Sequence, residues 1–318
     1  MNFRILITGG AGFIGSHLAN RILENGGEVY VIDNFDPYYK KEIKLKNIEN
    51  NLKNSRFHFF DCDIRDTETV EKLIKENNID KIVHLAAKVG VRASIKNPLV
   101  YQDVNVGGTV NLLEICRKSN VRSFIFGSSS SVYGISEKIP FSEDDVIKPI
   151  SPYGSSKMSC ENFCYSFSHL YGIKTSCLRF FTVYGPRQRP DMAIHKFTSK
   201  IDSGMKMDVY GDGSSKRDYT YITDIINGIM GVLKKDFKFE IFNLGDSKPI
   251  ELKNVISLIE NNLSKKALIN QLPNQPGDVP ITYADISKAK KLLNYSPKVS
   301  IENGIKNFVE WFKNNKLS

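Results

Sequence analysis

The chain has 318 residues, 41% of them hydrophobic, enough to bury a large core in one large or two intimately joined domains. Its formal charge of +9 comes from lysines scattered among asparagines, with no basic tract and no aromatic-basic array, which argues against nucleic acid and leaves a diphosphate-bearing substrate compatible. No apolar run approaches a membrane span, and the five cysteines form neither a Cys-x-x-Cys nor a zinc-spaced cluster, so no membrane, metal or disulfide role is expected.

Phe3 to Thr8 reads as a short buried strand. It begins almost at Met1, which leaves no room for a signal peptide and makes the cytoplasm the expected location. Gly9-Gly-Ala-Gly12-Phe13-Ile14-Gly15 follows, opening an apolar-periodic helix from about Phe13 to Asn25. A glycine loop between strand and helix is the context in which this motif holds a dinucleotide. The glycines allow the tight turn and close backbone approach, and the helix N-terminus attracts phosphate.

Val29 to Asp33 is the second strand. Asp33 closes it 18 positions after Gly15, where a carboxylate accepts from ribose hydroxyls and repels a 2′-phosphate. NAD is therefore expected, with NADP the alternative that nearby lysines leave open. Asn34 follows directly, and the lysine-rich stretch Tyr39 to Lys53 reads as a solvated helix.

Further strands are expected at Phe57 to Phe60, Lys81 to Leu85, Ser123 to Ser128 and Lys174 to Phe180, with helices at Thr67 to Asn77 and Leu99 to Ser119. This alternation gives an α/β fold, a Rossmann-type doubly wound parallel sheet. Asp63-Ile64 follows one strand and reaches the adenine, or Asp63 simply caps a helix. His84-Leu-Ala86-Ala87-Lys88 brings small residues and Lys88 to another strand end beside the cofactor.

Tyr153-Gly-Ser-Ser-Lys157 lies just after the serine cluster Ser128 to Ser131. At i and i+4 the two side chains share one helical face, so the ammonium favours the ionised phenol. Bringing a phenol from a pKa of about 10 to near neutrality takes about 3 to 4 kcal/mol of differential stabilisation. Cys160 and Cys164 share that face and read as core.

From Thr182 onward the pattern turns irregular, with Pro186, Pro190, a Gly211-Asp-Gly-Ser turn and Pro273 to Pro280 interrupting shorter elements. Tyr219 to Leu233 and Glu240 to Leu244 return a helix and a strand to the nucleotide sheet. The expected division is a nucleotide domain, 1–181, completed by about 217–247, and a smaller discontinuous α/β substrate lobe, 182–216 and 248–318.

Gly9 to Gly15, His84 to Ala87, Ser128 to Gly134 and Tyr153 to Lys157 together resemble the extended short-chain dehydrogenase/reductase family over essentially the whole chain. Asp33-Asn-Phe-Asp-Pro-Tyr-Tyr39, Gly90-Val-Arg92, Phe180-Phe-Thr-Val-Tyr-Gly-Pro186, Arg189-Pro-Asp-Met192 and Gln275-Pro-Gly-Asp-Val-Pro280 are similar to the UDP-sugar 4-epimerases, above all the UDP-glucuronate 4-epimerases. The resemblance implies an isomerase that uses NAD to pass through a transient 4-keto sugar, and a homodimer built on the Tyr153 helix and the one before it. It makes Tyr153 the base at the C4 hydroxyl, Lys157 the group that holds the nicotinamide ribose, and Ser129 a hydrogen-bond partner of O4; otherwise the serine cluster is a turn.

Related lyases place acidic residues directly after that Ser/Thr, where this chain has Ser130 and Ser131. Loss of water or carbon dioxide needs an acid and a base beyond the tyrosine, so the serines point to simple epimerisation. For the substrate, the resemblance assigns Arg217 to the diphosphate and Asp278 to the uridine end. Arg187 or Arg189, with Thr182, then reads a C6 carboxylate, and Arg92 approaches the sugar or only holds its loop.

Two departures bear on the sugar. Arg187-Gln188 replaces the Trp-Gly of many glucuronate epimerases, and Gln275 replaces an arginine of UDP-glucose epimerases. UDP-glucuronate/UDP-galacturonate exchange is the leading expectation and UDP-glucose/UDP-galactose exchange the alternative. A dehydratase, a decarboxylase or a non-catalytic NAD sensor on the same fold stand behind them.

Overall fold

The structure is a computed structural model and describes residues 3–136, 138–273 and 279–315. β1 (Arg4–Thr8) passes through the glycine turn into α1 (Phe13–Glu24), and β2 (Glu28–Asp33) returns parallel beside β1. α2 (Lys41–Ile48), β3 (Phe57–Asp61), α3 (Thr67–Glu76) and β4 (Lys81–His84) continue the alternation. Ile5 and Ile7 pack into a layer with α1, while Leu6 packs into the opposite layer with α3. All three are fully buried, as a strand covered on both faces requires.

The stretch expected as one helix from Leu99 is broken. α4 (Val91–Lys96) and α5 (Pro98–Tyr101) lead through a π-helical turn, Gln102–Gly107, into α6 (Gly108–Arg117). The wide turn carries Asn105, whose carbonyl accepts from the Thr109 hydroxyl at 2.6 Å and the Cys160 thiol at 3.3 Å. Wide turns of this kind recur at functional sites.

β5 (Ser123–Ser129), α7 (Pro152–Tyr171) and β6 (Lys174–Phe180) follow. The 20-residue α7 starts where Ser151 Oγ accepts from Gly154 N and Pro152 occupies the first turn, and it stops at Gly172, whose φ of 71° is left-handed. After β7 (Thr182–Tyr184), α8 (Ala193–Asp202), β8 (Lys206–Tyr210) and β9 (Lys216–Tyr221), the chain returns through α9 (Ile222–Leu233) and β10 (Phe239–Leu244). β11 (Pro249–Glu251), α10 (Leu252–Leu263), β12 (Leu268–Leu272), β13 (Ile281–Thr282), α11 (Ser287–Leu293) and α12 (Ile301–Asn314) complete it.

Seven parallel strands form the main sheet in the order β10-β6-β5-β4-β1-β2-β3. Strand order reverses between β1 and β4, which opens a crevice at their carboxyl ends, where ligands bind in such sheets. β7, β11 and β13 gather on β9, and β12 pairs with β8, beside that end of the sheet. Among the described residues no helix is long and apolar enough to cross a membrane, and no group of three or more His, Cys, Asp or Glu side chains is placed to hold a metal ion. All five cysteines are buried and unpaired.

Candidate active site

The crevice holds a cleft of about 420 Å³. At one end the glycine loop is forced by close approach: a Cβ on Gly9, at φ +68°, would stand 2.8 Å from the backbone N of Ala86, and one on Gly15 would stand 2.4 Å from the Gly9 carbonyl. Gly9, Phe13, Ile14 and Gly15 line the cleft, while Gly12 stands behind them as the N-cap of α1.

Asp33 reaches the cleft from the end of β2. Its carboxylate accepts from Ala11 N (3.2 Å), Phe35 N (3.0 Å) and Lys44 Nζ (3.0 Å). With about four lone-pair sites on a carboxylate, one remains for a ligand hydroxyl. Lys44 is buried here, which corrects the reading of the 39–53 stretch as a solvated helix: α2 turns one lysine inward to neutralise Asp33.

The other carboxylates of the cleft are matched in the same way. Asp63 accepts from Arg65 Nη2 and Asn34 Nδ2, each at 2.8 Å, and Arg65 holds its carboxyl down to about 2. Asp36 pairs with Lys88 at 2.6 Å. Ile64, Ala86 and Ala87 supply apolar wall between these polar groups.

Tyr153 lies in the first turn of α7, where the helix dipole favours negative charge. Burial raises its pKa, while a hydrogen bond from Ser129 and the charge of Arg189 pull it down. One turn on, Lys157 is buried; its Nζ donates to the Gly127 carbonyl at 2.7 Å and stands 4.7 Å from the centre of the Phe126 ring. Desolvation lowers its pKa to about 8. Ser129 ends β5 and its Oγ accepts from Ser131 N at 3.2 Å, so the serine cluster is both a turn and part of the cleft wall.

A residue the motifs did not mark ties the two ends together. Asn105, in the π turn, accepts from Lys88 N at 2.7 Å and donates to Lys88 O at 3.0 Å and to Ser156 Oγ at 2.9 Å. Ser156 lies between Tyr153 and Lys157, so this buried amide fixes α7 against the Lys88 strand end. Its only sequence signal is an asparagine inside an apolar helical pattern.

The family model described as GDP-mannose 4,6 dehydratase matches residues 6–308. A UDP-glucuronate 4-epimerase of Thermodesulfobacterium geofontis is 41% identical over 98% of this chain and 96% of its own. Among solved structures, the UDP-glucuronic acid 4-epimerase of Bacillus cereus, in complex with UDP-glucuronic acid and NAD, superposes with a TM-score of 0.93 at 41% identity, covering 98% of this chain and 99% of that one. The UDP-glucose 4-epimerase of Thermotoga maritima, with UDP-glucose, gives 0.90 at 34% identity over 98% and 99%. The chain belongs to the nucleotide-sugar epimerase branch of the extended short-chain dehydrogenase/reductase family.

Within this family frame the structure sorts the arginines that sequence left undivided. Ser129, Ser130, Thr182 and Arg189 line the cleft with Tyr153; Arg92, Arg187 and Arg217 do not. The Arg92 guanidinium lies over Tyr210 at 4.8 Å, and Arg217 Nη1 donates to the Lys216 carbonyl at 2.9 Å. Arg187 has a left-handed backbone, φ 64°, and faces a separate cavity. Asp278 and Gln275 lie outside the described residues.

Arg189 grips Asp191 through Nε and Nη2, both at 2.9 Å, leaving Nη1 for a ligand. Tyr38 donates to the same aspartate at 3.3 Å. The cleft carboxylates among the described residues are Asp33, Asp36 and Asp63, each already facing a cation, and none stands after Ser129.

Proposed function

We propose that this protein is an NAD-dependent UDP-sugar 4-epimerase, interconverting UDP-glucuronate and UDP-galacturonate. The observation that carries the reading is the meeting of Tyr153, Lys157 and Ser129 in a cleft whose carboxylates, among the described residues, all face a cation and so leave none free for elimination. Its glycine-walled mouth, the free site on Asp33 and the apolar Ile64 to Ala87 wall fit a dinucleotide. NAD, when bound, supplies reversible removal and return of hydride at C4, through a 4-keto sugar.

The chain's own groups do the rest. Tyr153 takes the C4 hydroxyl proton and later returns it. Lys157 holds the phenolate by its charge and meets the nicotinamide ribose, and Ser129 donates to O4. Asn34, Asp63 and Lys88 frame the adenosine end, with Gly12 setting the helix start. Thr182, Ser130 and Arg189 Nη1 receive the C6 carboxylate. Arg217, which stands outside the cleft, keeps the diphosphate role that the family resemblance gives it. We take the nucleotide unit as 1–181 with 217–247, the remainder as the substrate lobe, and the working form as a cytoplasmic homodimer.

Because Asp191 already neutralises part of the Arg189 charge, UDP-glucose/UDP-galactose exchange remains the second reading. A proton NMR time course with UDP-glucuronate and, separately, UDP-glucose tests both: appearance of the galacto-uronate with little neutral turnover is the expected result, and the reverse preference overturns the uronate assignment. Arg189→Ala should depress uronate turnover roughly 10- to 100-fold, the worth of a charge-assisted hydrogen bond, while sparing UDP-glucose. Equal losses on both sugars would reduce Arg189 to a loop anchor.

Asp33→Ala should weaken NAD binding about tenfold or more, read by calorimetry on the purified protein. Unchanged affinity would remove the ribose role.

A further inference from the structure

A second cavity, about 1010 Å³, lies between α1, α2, α8, α12 and the loop after β7, and shares only Tyr39 with the reaction cleft. Arg187 enters it from the loop. Nη1 of Arg187 is the single buried side-chain nitrogen or oxygen among the described residues without a hydrogen-bond partner, and its other amine, Nη2, meets only the neutral amide of Asn20, at 3.1 Å in the orientation that satisfies that amide.

Buried charges are ordinarily paired, and an unpaired one is costly. Among the described residues no carboxylate pairs with this guanidinium. Of the two that line the cavity, Asp202 is held by Lys265 at 2.7 Å and Glu49 is exposed. Lys40 and Lys46, also exposed, stand at the rim and add positive charge.

We infer that this cavity is a binding site for a phosphate monoester, distinct from the reaction cleft, with Arg187 on the phosphate oxygens. A guanidinium fork matches two oxygens of a phosphate, and the cavity is far larger than the anion alone, leaving room for an organic body against the half-buried Trp311. The inference does not depend on which sugar the cleft turns over.

Trp311 is the chain's one tryptophan, so its emission reports on this cavity. With NAD and UDP saturating the cleft, the protein is titrated with inorganic phosphate, glucose 1-phosphate and UMP, against sodium chloride at equal ionic strength. The expected result is a saturable change in emission and a rise in melting temperature with the organic phosphates, tighter than with inorganic phosphate. Whichever of glucose 1-phosphate and UMP binds more tightly identifies the organic body as sugar or nucleoside.

Arg187→Met should weaken that binding about tenfold or more and, without ligand, melt no lower than the parent because an unpaired buried charge has gone. Lys46→Gln, at the exposed rim, gives a second variant with a several-fold weaker response. The inference is overturned if no phosphate changes emission or melting beyond the chloride control, if inorganic phosphate binds as tightly as both esters, or if Arg187→Met responds like the parent.

Discussion

Replacing Tyr153 with phenylalanine is expected to lower turnover by about 10²- to 10⁴-fold, the usual contribution of a positioned acid–base group, while NAD and UDP-sugar affinities stay within a few-fold. The substitution removes one oxygen from a ring that stays packed edge-on to Tyr101, with centroids 6.2 Å apart. Single-turnover kinetics alongside calorimetric binding separate the two effects. Turnover within tenfold of the parent would mean that another group moves the proton.

The sign of the pH dependence follows from the same pair. Burial raises the phenol and lowers the Lys157 ammonium to about 8, so the pair loses the first of its two protons as pH rises toward that value, and phenolate beside ammonium is one of the two forms that loss leaves. The active form is phenolate beside ammonium, and turnover should climb with pH up to about 8. Lys157→Met removes the positive charge that favours the phenolate, so its residual activity should need a higher pH. A pH profile unchanged in position would show that the ammonium does not tune the tyrosine.

Glu161→Gln is expected to destabilise the fold by about 3 to 5 kcal/mol, the cost of leaving one member of a buried ion pair unmatched. Glu161 and Arg179 are 3% and 2% exposed, and they meet through Arg179 Nε at 3.0 Å and Nη2 at 2.8 Å. Ser128 donates to the same glutamate at 2.5 Å, Arg179 Nη1 reaches the Tyr133 hydroxyl at 2.9 Å, and that hydroxyl donates to Asn243 at 2.7 Å. The network ties α7, β5, β6 and β10 together directly beneath Ser129.

Denaturant unfolding measures the loss, and replacing Glu161 and Arg179 together by leucine and methionine should recover much of it, since no charge is then left unpaired. A single-variant loss below about 1 kcal/mol would mean that water reaches the pair and screens it as it does a surface bridge. Activity of the refolded variant should fall less than that of Tyr153→Phe, because the network positions the strand end without touching the reacting atoms.

The parallel sheet, the glycine loop and the meeting of Asp33, Tyr153 and Lys157 at the strand ends were legible in the residues alone. These depend on short-range facts: an apolar run, a turn only glycine can make, a strand end, one turn of helix. The direction taken by long side chains was not legible there, because it depends on packing between distant elements. Lys44 looked solvated and is buried because α2 packs across the end of β2, bringing an ammonium to a carboxylate 11 residues away. Asn105 lay unmarked in a stretch read as one helix; it sits in a π turn, where its amide meets both Lys88 and Ser156. Arg187 and Arg189 looked equivalent, two residues apart in one proline-rich loop. A left-handed backbone at Arg187 sends one into the second cavity while the other enters the cleft, and no local pattern fixes that direction because it is set by packing among α1, α8 and α12.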